Sequence, residues 1–142
     1  MFSEVFETRL KEWRLLREKL EYSDKPFEDL LEAYNKAPRI HNKDITPWDQ
    51  KSWRGPWHLI DENGYTDTCI ICGLCYTLQL TERFSKSQFE IHISTNNKTQ
   101  ETFLLLAVDD VVIQPQESKV LTRAEVPSTW ISQKIYPMQG LH

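Results

Sequence analysis

The stretch Cys69-Ile-Ile-Cys-Gly-Leu-Cys-Tyr-Thr-Leu-Gln-Leu80 is apolar around nearly its whole circumference when it is wound as a helix. Thr66-Asp67-Thr68, directly before it, has the residue types that cap a helix N-terminus. The run is also longer than an ordinary strand. Because a helix without a polar face has to be buried, the sequence predicts a buried central helix on which the rest of the fold packs.

The chain after this helix is predicted to form an antiparallel sheet of three or four strands. Residues 89–93 alternate apolar and polar side chains, which indicates a strand with one buried face. Residues 103–108 are continuously apolar, which is typical of a central strand covered on both faces. Asp109-Asp110 is a turn into a strand at 111–113, and an extended segment is expected at 120–126, before a short terminal helix or tail capped by Pro127-Ser128-Thr129.

The chain before the central helix is predicted to begin with a helical hairpin over residues 1–37. Apolar residues recur every three or four positions over 2–22 and again over 27–37, which indicates two amphipathic helices. Pro26 suits the first position of the second helix, and Pro38 ends it. The fold class is therefore α+β: a helical hairpin, one buried central helix and an antiparallel sheet.

Residues 38–64 form a connector in which this helical periodicity fails. A short helical turn is expected at 46–49 and a short helix at 56–64, closed by Gly64. Trp48, Trp53 and Trp57 are candidate interaction residues, because indole rings stack on sugars and bases. The alternative, which we favour, is that they pin the connector onto the core.

Length and charge restrict the functional classes. The 142 residues suit one domain over 1–142, with parts at 1–37, 38–64 and 65–142. A net charge of −4 without a basic stripe argues against a nucleic-acid partner. No apolar run suits a membrane span or a secretory signal, so we expect a protein of the cytoplasm that is not secreted and has no membrane partner.

The cysteine spacing Cys69-x-x-Cys72-x-x-Cys75 resembles that of iron–sulfur loops. On a helix, however, residues six apart are separated by about 9 Å along the axis, so the three sulfurs cannot bind one ion. We therefore expect reduced thiols, no metal and no other cofactor.

A catalytic role for one cysteine as a nucleophile is the more specific alternative to a metal site. Cys69 falls in the first turn of its helix, where the dipole favours a thiolate, as in papain-like and transglutaminase-like enzymes. His92, on the strand at 89–93, can come back level with Cys69 as its base. However, His92 lies on the strand face opposite Ile91 and Ile93, which points it away from a helix packed on the apolar face.

The connector and central helix resemble small proteins of tailed phages, particularly contractile-tailed phages of cyanobacteria. The resemblance rests on Thr46-Pro47-Trp48-Asp49, Ser52-Trp53 and Pro56-Trp57-His58-Leu59-Ile60, followed by Cys69, Gly73 and Tyr76-Thr77-Leu78-Gln79-Leu80. It implies a viral origin, with the protein in the host cytoplasm or incorporated into the virion.

We expect from these features a non-catalytic structural or assembly module that acts through protein–protein contacts. Residues 103–108 need cover on both faces, and the edges of a short sheet need protection, so a partner protein or a second copy of the chain is expected. The alternative is a cysteine-dependent hydrolase or transferase with Cys69 as nucleophile and His92 as base.

Overall fold

Four α-helices precede a five-stranded antiparallel sheet in the computed structural model, which describes residues 1–140. The predicted α+β class, with its N-terminal helices and buried central helix, is confirmed. None of the helices in this range is long and apolar enough to cross a membrane. The helices and strands have the following bounds: α1 Phe6–Tyr22, α2 Pro26–Tyr34, α3 Pro56–Glu62, α4 Asp67–Gln79, β1 Phe89–Asn96, β2 Thr102–Val108, β3 Val111–Gln114, β4 Lys119–Thr122 and β5 Trp130–Met138.

The sheet has the strand order β4-β3-β2-β1-β5. Strands β1 to β4 form the predicted meander, and β5 returns to pair with the free side of β1. The prediction of three or four strands was therefore low by one or two, since β5 occupies the segment assigned to a terminal helix or tail. The long pairing with β1 satisfies the backbone groups on one side of this segment, and Pro137 is tolerated because β5 is an edge strand.

Two local details also differ from the prediction. The extended segment expected at 120–126 ends after β4, because Thr122 and Glu125 form a capping box around a 3-10 helix over Arg123–Glu125. The predicted turn at 46–49 is present, closed by a hydrogen bond from the Asp49 N–H to the Thr46 carbonyl oxygen at 3.3 Å. It is followed by a 3-10 helix over Gln50–Ser52 that was not predicted, which the side chain of Asp49 caps by accepting from the Lys51 N–H at 3.1 Å.

Helix α4 lies at the centre of the fold. Its residues from Thr68 to Gln79 are all buried, and the Thr66 hydroxyl caps the helix by accepting from the Cys69 N–H at 3.2 Å. The main core contains α4 together with one face of the sheet, which presents Ile91 and Ile93 of β1 and the β2 residues paired with them. Helices α1 to α3 cover the rest of α4.

The hydroxyl of Thr77 joins α4 to both helices of the hairpin. It accepts a hydrogen bond from Trp13 Nε1 of α1 at 2.9 Å and lies 3.0 Å from the Tyr34 hydroxyl of α2. It also donates to the carbonyl oxygen of Gly73 at 2.7 Å. All of these groups are buried, so each hydrogen bond removes a desolvation penalty of about 1–3 kcal/mol per polar group.

Gly73 is the position at which α2 approaches α4 most closely, and substituting it tests this packing. A Cβ atom there would lie 2.8 Å from Cε1 of Tyr34, which is inside normal contact distance. We expect Gly73→Ala to lower the free energy of unfolding by about 1–3 kcal/mol, despite the better helix propensity of alanine. Urea denaturation measures the change, with Gly140→Ala as the matched control because nothing lies within 4 Å of its added methyl group. A variant of Gly73 as stable as the wild type would contradict this description of the contact.

The outer face of the sheet has a second, smaller apolar cluster formed by Phe103, Leu105, Ala107 and Val112. Val126 and Trp130 pack over it, and the Trp130 ring lies 5.0 Å from the ring of Phe103. Strand β2 is thus covered on both faces within one chain. The expectation that this strand needs a partner subunit for its cover was wrong, because the segment leading into β5 supplies that cover.

The ends of α1 and α3 also differ from the prediction. The first helix begins at Phe6 instead of Phe2, because Phe2 leaves the helical path to pack edge-on against Tyr34 and Tyr65 at 5.7 and 5.5 Å. Helix α3 ends at Glu62 and is closed by Asn63, which adopts the left-handed conformation with φ 51°, and not by Gly64. Asparagine is the residue after glycine that most readily takes this role.

Candidate functional site

The N-terminal end of α4 is the first candidate site, because Cys69 lies there in the first helical turn. The side chain of Cys69 is only 2% exposed and belongs to the main core. Cys72 and Cys75 lie deeper along the helix, where burial raises the pKa of each thiol well above its ordinary value. The three cysteines are free thiols, and their environment favours the protonated, unreactive form at the two inner positions.

His92 lies on the other side of the sheet from Cys69. Ile91 and Ile93 face α4 in the main core, and successive side chains of a strand point to opposite faces. His92 therefore faces outward together with Leu105, its partner on β2, which belongs to the outer cluster. The structure does not bring Cys69 and His92 together.

A surface cavity of about 160 Å³ lies beside the start of α4. Thr68 and Asp67 line it together with residues of β1 and β2, and Asp67 forms an ion pair with Arg39 at its rim. None of the residues that line it is a cysteine or a histidine. This cavity therefore contains no group for cysteine chemistry. A second cavity at the start of α4, of about 480 Å³, is lined by Thr66, Asp67 and Thr68 and has the imidazole of His41 in its wall.

The second candidate site is a row of hydrogen-bonded side chains on the outer face of the sheet. His92 Nδ1 lies 2.8 Å from the Ser132 hydroxyl oxygen, and His92 Nε2 lies 3.0 Å from Oε1 of Glu90. The hydrogen bond from His92 is the largest of the effects that lower the pKa of Glu90, and the nearby Arg123 guanidinium acts in the same direction. Glu90 is therefore a carboxylate at neutral pH.

Sequence reasoning identified His92 and its neighbour Glu90 but missed Ser132. Glu90 and His92 are two residues apart on one strand, so their shared face follows from the sequence. Ser132 reaches them only because β5 pairs with β1, with a bulge between Ile93 and Ser94 that brings Ser94 opposite Ser132. The bulge adds one residue between Ile131 and Ile135, so apolar and polar residues do not alternate there. The sequence of this segment therefore lacks the pattern that indicates a strand.

The three candidate tryptophans have separate environments. Trp53 packs on Tyr136 of β5 at 4.8 Å, and its Nε1 donates to the Thr46 carbonyl oxygen at 3.0 Å. Trp57 is 58% exposed and packs edge-on against Trp13 of α1 at 5.2 Å. Trp48 is 57% exposed. Since no ring contact joins any two of the three within residues 1–140, they form no common stacking platform.

No group of three or more histidine, cysteine, aspartate or glutamate side chains within residues 1–140 is placed to hold a metal ion. A tight protein site for a transition metal generally uses at least three side-chain ligands.

No protein-family model matches this chain, and no curated protein sequence matches it. Among solved structures, the chain is similar to calcium-bound LapG from Legionella pneumophila, with a TM-score of 0.70 and 17% sequence identity. The match covers 91% of this chain and 74% of the LapG chain. The similarity therefore extends over nearly the whole described structure, and at this identity it shows that the two proteins share a fold.

Proposed function

We propose that this protein works through protein–protein contacts, as a structural or assembly module of a contractile-tailed phage. The observation that carries the proposal is β5, a nine-residue strand at the edge of the sheet with most of its residues exposed. An edge strand presents unpaired backbone N–H and C=O groups to another chain. The opposite edge strand, β4, has only four residues, which is the ordinary way to protect an edge.

The side chains of β5 favour contact with a specific partner over edge-to-edge pairing of β5 with the same strand of another copy. Ile131 and Ile135 are 44% and 45% exposed, which leaves apolar surface on this strand uncovered. Lys134 and Pro137 lie on the same strand, and both residue types discourage the pairing of identical edges. The phage setting comes from the resemblance of the connector and central helix to phage proteins.

Lysine substitutions on β5 test the proposal. We expect the double variant Ile131→Lys/Ile135→Lys to lose the contact, because each lysine would have to be desolvated against the partner. The readouts are sedimentation at increasing protein concentration and mass spectrometry of purified virions. Leu15→Lys is the matched control, since Leu15 is an aliphatic residue of α1 with a similar exposure of 49%.

The expected result is that the wild type and the Leu15 variant both self-associate or both co-purify with virions, and that the double variant does neither. A wild-type protein that stays monomeric at high concentration and is absent from virions would overturn the proposal.

A cysteine-dependent hydrolase or transferase is the second candidate, with Cys69 as nucleophile and His92 as base. It is favoured by the position of Cys69 in the first turn of α4, where backbone N–H groups and the helix dipole stabilise a thiolate. It requires Cys69 to become accessible and α4 and the sheet to rearrange, because His92 lies on the face of the sheet opposite to Cys69. Alkylation of the thiols, described in the Discussion, separates the two candidates.

A further inference from the structure

The row Glu90–His92–Ser132 places a carboxylate, an imidazole and a hydroxyl in consecutive hydrogen bonds. The two distances, 3.0 and 2.8 Å, are both those of well-formed hydrogen bonds. This sequence of groups is the one that activates a serine: an acid orients a base, and the base takes the proton of the nucleophile.

The carboxylate determines which nitrogen of His92 carries the proton. An ionised carboxylate only accepts hydrogen bonds, so the nitrogen facing Glu90, Nε2, must be the donor. In the neutral ring the other nitrogen, Nδ1, then has a free lone pair directed at the Ser132 hydroxyl. With the ring in this neutral form, the Ser132 O–H donates to Nδ1, which is the arrangement that a general base requires.

Burial along the row also suits a nucleophile and its base. Ser132 is exposed on the edge strand, whereas the side chain of His92 is only 13% exposed. His92 is flanked on the same face by its register partners, Leu105 on β2 and Ile135 on β5. These apolar neighbours limit the rotation of the ring and its contact with water, while the hydroxyl remains open to a substrate.

The bulge in the pairing of β5 with β1 lies next to the hydroxyl. Ser132 pairs with Ser94 and Lys134 pairs with Ile93, so Gln133, directly after Ser132, has no partner residue on β1. The extra residue of a bulge is left out of the ladder, and bulges are frequent beside active sites because they redirect a side chain. The outer side of β5 has no strand beside it among the described residues, so a substrate can reach the hydroxyl from that side.

We propose that Ser132 is a nucleophile that takes an acyl group from carboxylic esters, with His92 as its general base and Glu90 as a positioning residue. The proposal adds an activity to the contact function and is argued from the hydrogen bonds of Glu90, His92 and Ser132, which need no partner. Because Ser132 lies on β5, a partner bound along that strand would cover it, so the activity belongs to the free protein and is tested on it.

The reaction proceeds in two balanced halves. The Ser132 oxygen attacks the ester carbonyl carbon as its proton moves to His92 Nδ1, and the C–O bond to the leaving alcohol breaks as His92 returns that proton to the alcohol oxygen. Water then attacks the acyl-serine in the same way. His92 takes the proton of the water and gives it to the Ser132 oxygen, so one ester and one water become one acid and one alcohol.

A fluorophosphonate probe tests the nucleophile directly, because it reacts with an activated serine by loss of fluoride. We expect the folded wild type to be labelled at Ser132, as located by peptide mass spectrometry. Ser132→Ala should lose the label, and His92→Gln should slow labelling by at least about 100-fold, which is the lower range for a general base. Ser128→Ala is the matched control, because Ser128 is an exposed serine just before β5 and lies outside the row.

If Glu90 positions His92, and does not merely stabilise the fold, its removal should change the tautomer of the His92 ring. In the wild type, nitrogen NMR of the His92 ring should show the tautomer protonated at Nε2. In Glu90→Ala this preference should be lost and labelling slowed by about tenfold or more, with the fold unchanged by circular dichroism.

Two results would overturn the proposal. One is labelling of Ser132 no faster than that of the exposed Ser128 in the same sample. The other is a His92→Gln variant that is folded and is labelled at the wild-type rate. Neither result bears on the association of β5 with a partner, so failure of this proposal is distinguishable from failure of the contact function.

Discussion

Replacement of Trp13 by alanine is expected to lower the free energy of unfolding by about 3–5 kcal/mol, the range for deleting a buried tryptophan. Trp13 is only 1% exposed, and its indole fills the space between α1, α3 and α4. The substitution removes the hydrogen bond to Thr77 and the edge-on contact with Trp57 together with the buried area. Because a small domain has a total stability of about 5–15 kcal/mol, this loss approaches unfolding.

Urea denaturation of Trp13→Ala beside Trp48→Ala measures this effect. Trp48 is 57% exposed, so its removal should change the free energy of unfolding by no more than about 0.5–1 kcal/mol. Equal slopes of the denaturation curves would show that both variants unfold from the same native state. A loss below about 1.5 kcal/mol for Trp13→Ala would contradict the central role given to this residue.

The parts of the fold that depend on local pattern could be predicted from the sequence. The apolar circumference of α4 and the cap at Thr66 are both local, and they predicted the buried helix correctly. Strand β5 could not be predicted, because its stability comes from pairing with β1, which is distant in sequence. Pro127-Ser128-Thr129 also matches a helix cap in composition, and only the tertiary pairing decides against a helix.

The candidate site residues also differ in whether local pattern or the pairing of distant segments places them. The outward direction of His92 followed from the alternation of β1, and the structure places the side chain on that face. Its hydrogen-bond partner Ser132 did not follow, because the register of β5 is set by a bulge that the sequence does not mark. The cover of β2 by Val126 and Trp130 was likewise missed, since Val126 was assigned to an extended segment and Trp130 to a terminal helix or tail.

The similarity to LapG concerns the arrangement of helices and strands, whereas chemistry depends on particular side chains. In this chain the end of α4 carries a buried thiol, and the accessible polar groups lie on the opposite face of the sheet. The shared fold therefore does not assign a chemical role to the end of α4 in this chain, and the thiols have to be tested directly.

Alkylation with iodoacetamide is expected to leave Cys69, Cys72 and Cys75 unmodified in the folded protein from pH 6 to pH 9. A buried thiol reacts only after an opening of the structure, and an opening that costs about 4 kcal/mol slows the reaction about 1,000-fold. Burial also raises the pKa of Cys72 and Cys75, which keeps both protonated across this range. In denaturant the same thiols should react about ten times faster per pH unit up to their ordinary pKa of about 8.5.

The control for accessibility is the variant Ser128→Cys, which adds a thiol at an exposed position outside the helices and strands. Peptide mass spectrometry of one sample then compares this thiol with the three native ones under identical conditions. Labelling confined to the added cysteine would exclude Cys69 as a nucleophile and leave α4 as a purely structural helix. Selective labelling of Cys69 near pH 6, faster than that of the added cysteine, would instead establish an activated thiol, because only a lowered pKa gives thiolate at that pH. The cysteine-dependent enzyme would then replace the contact module as the function to pursue.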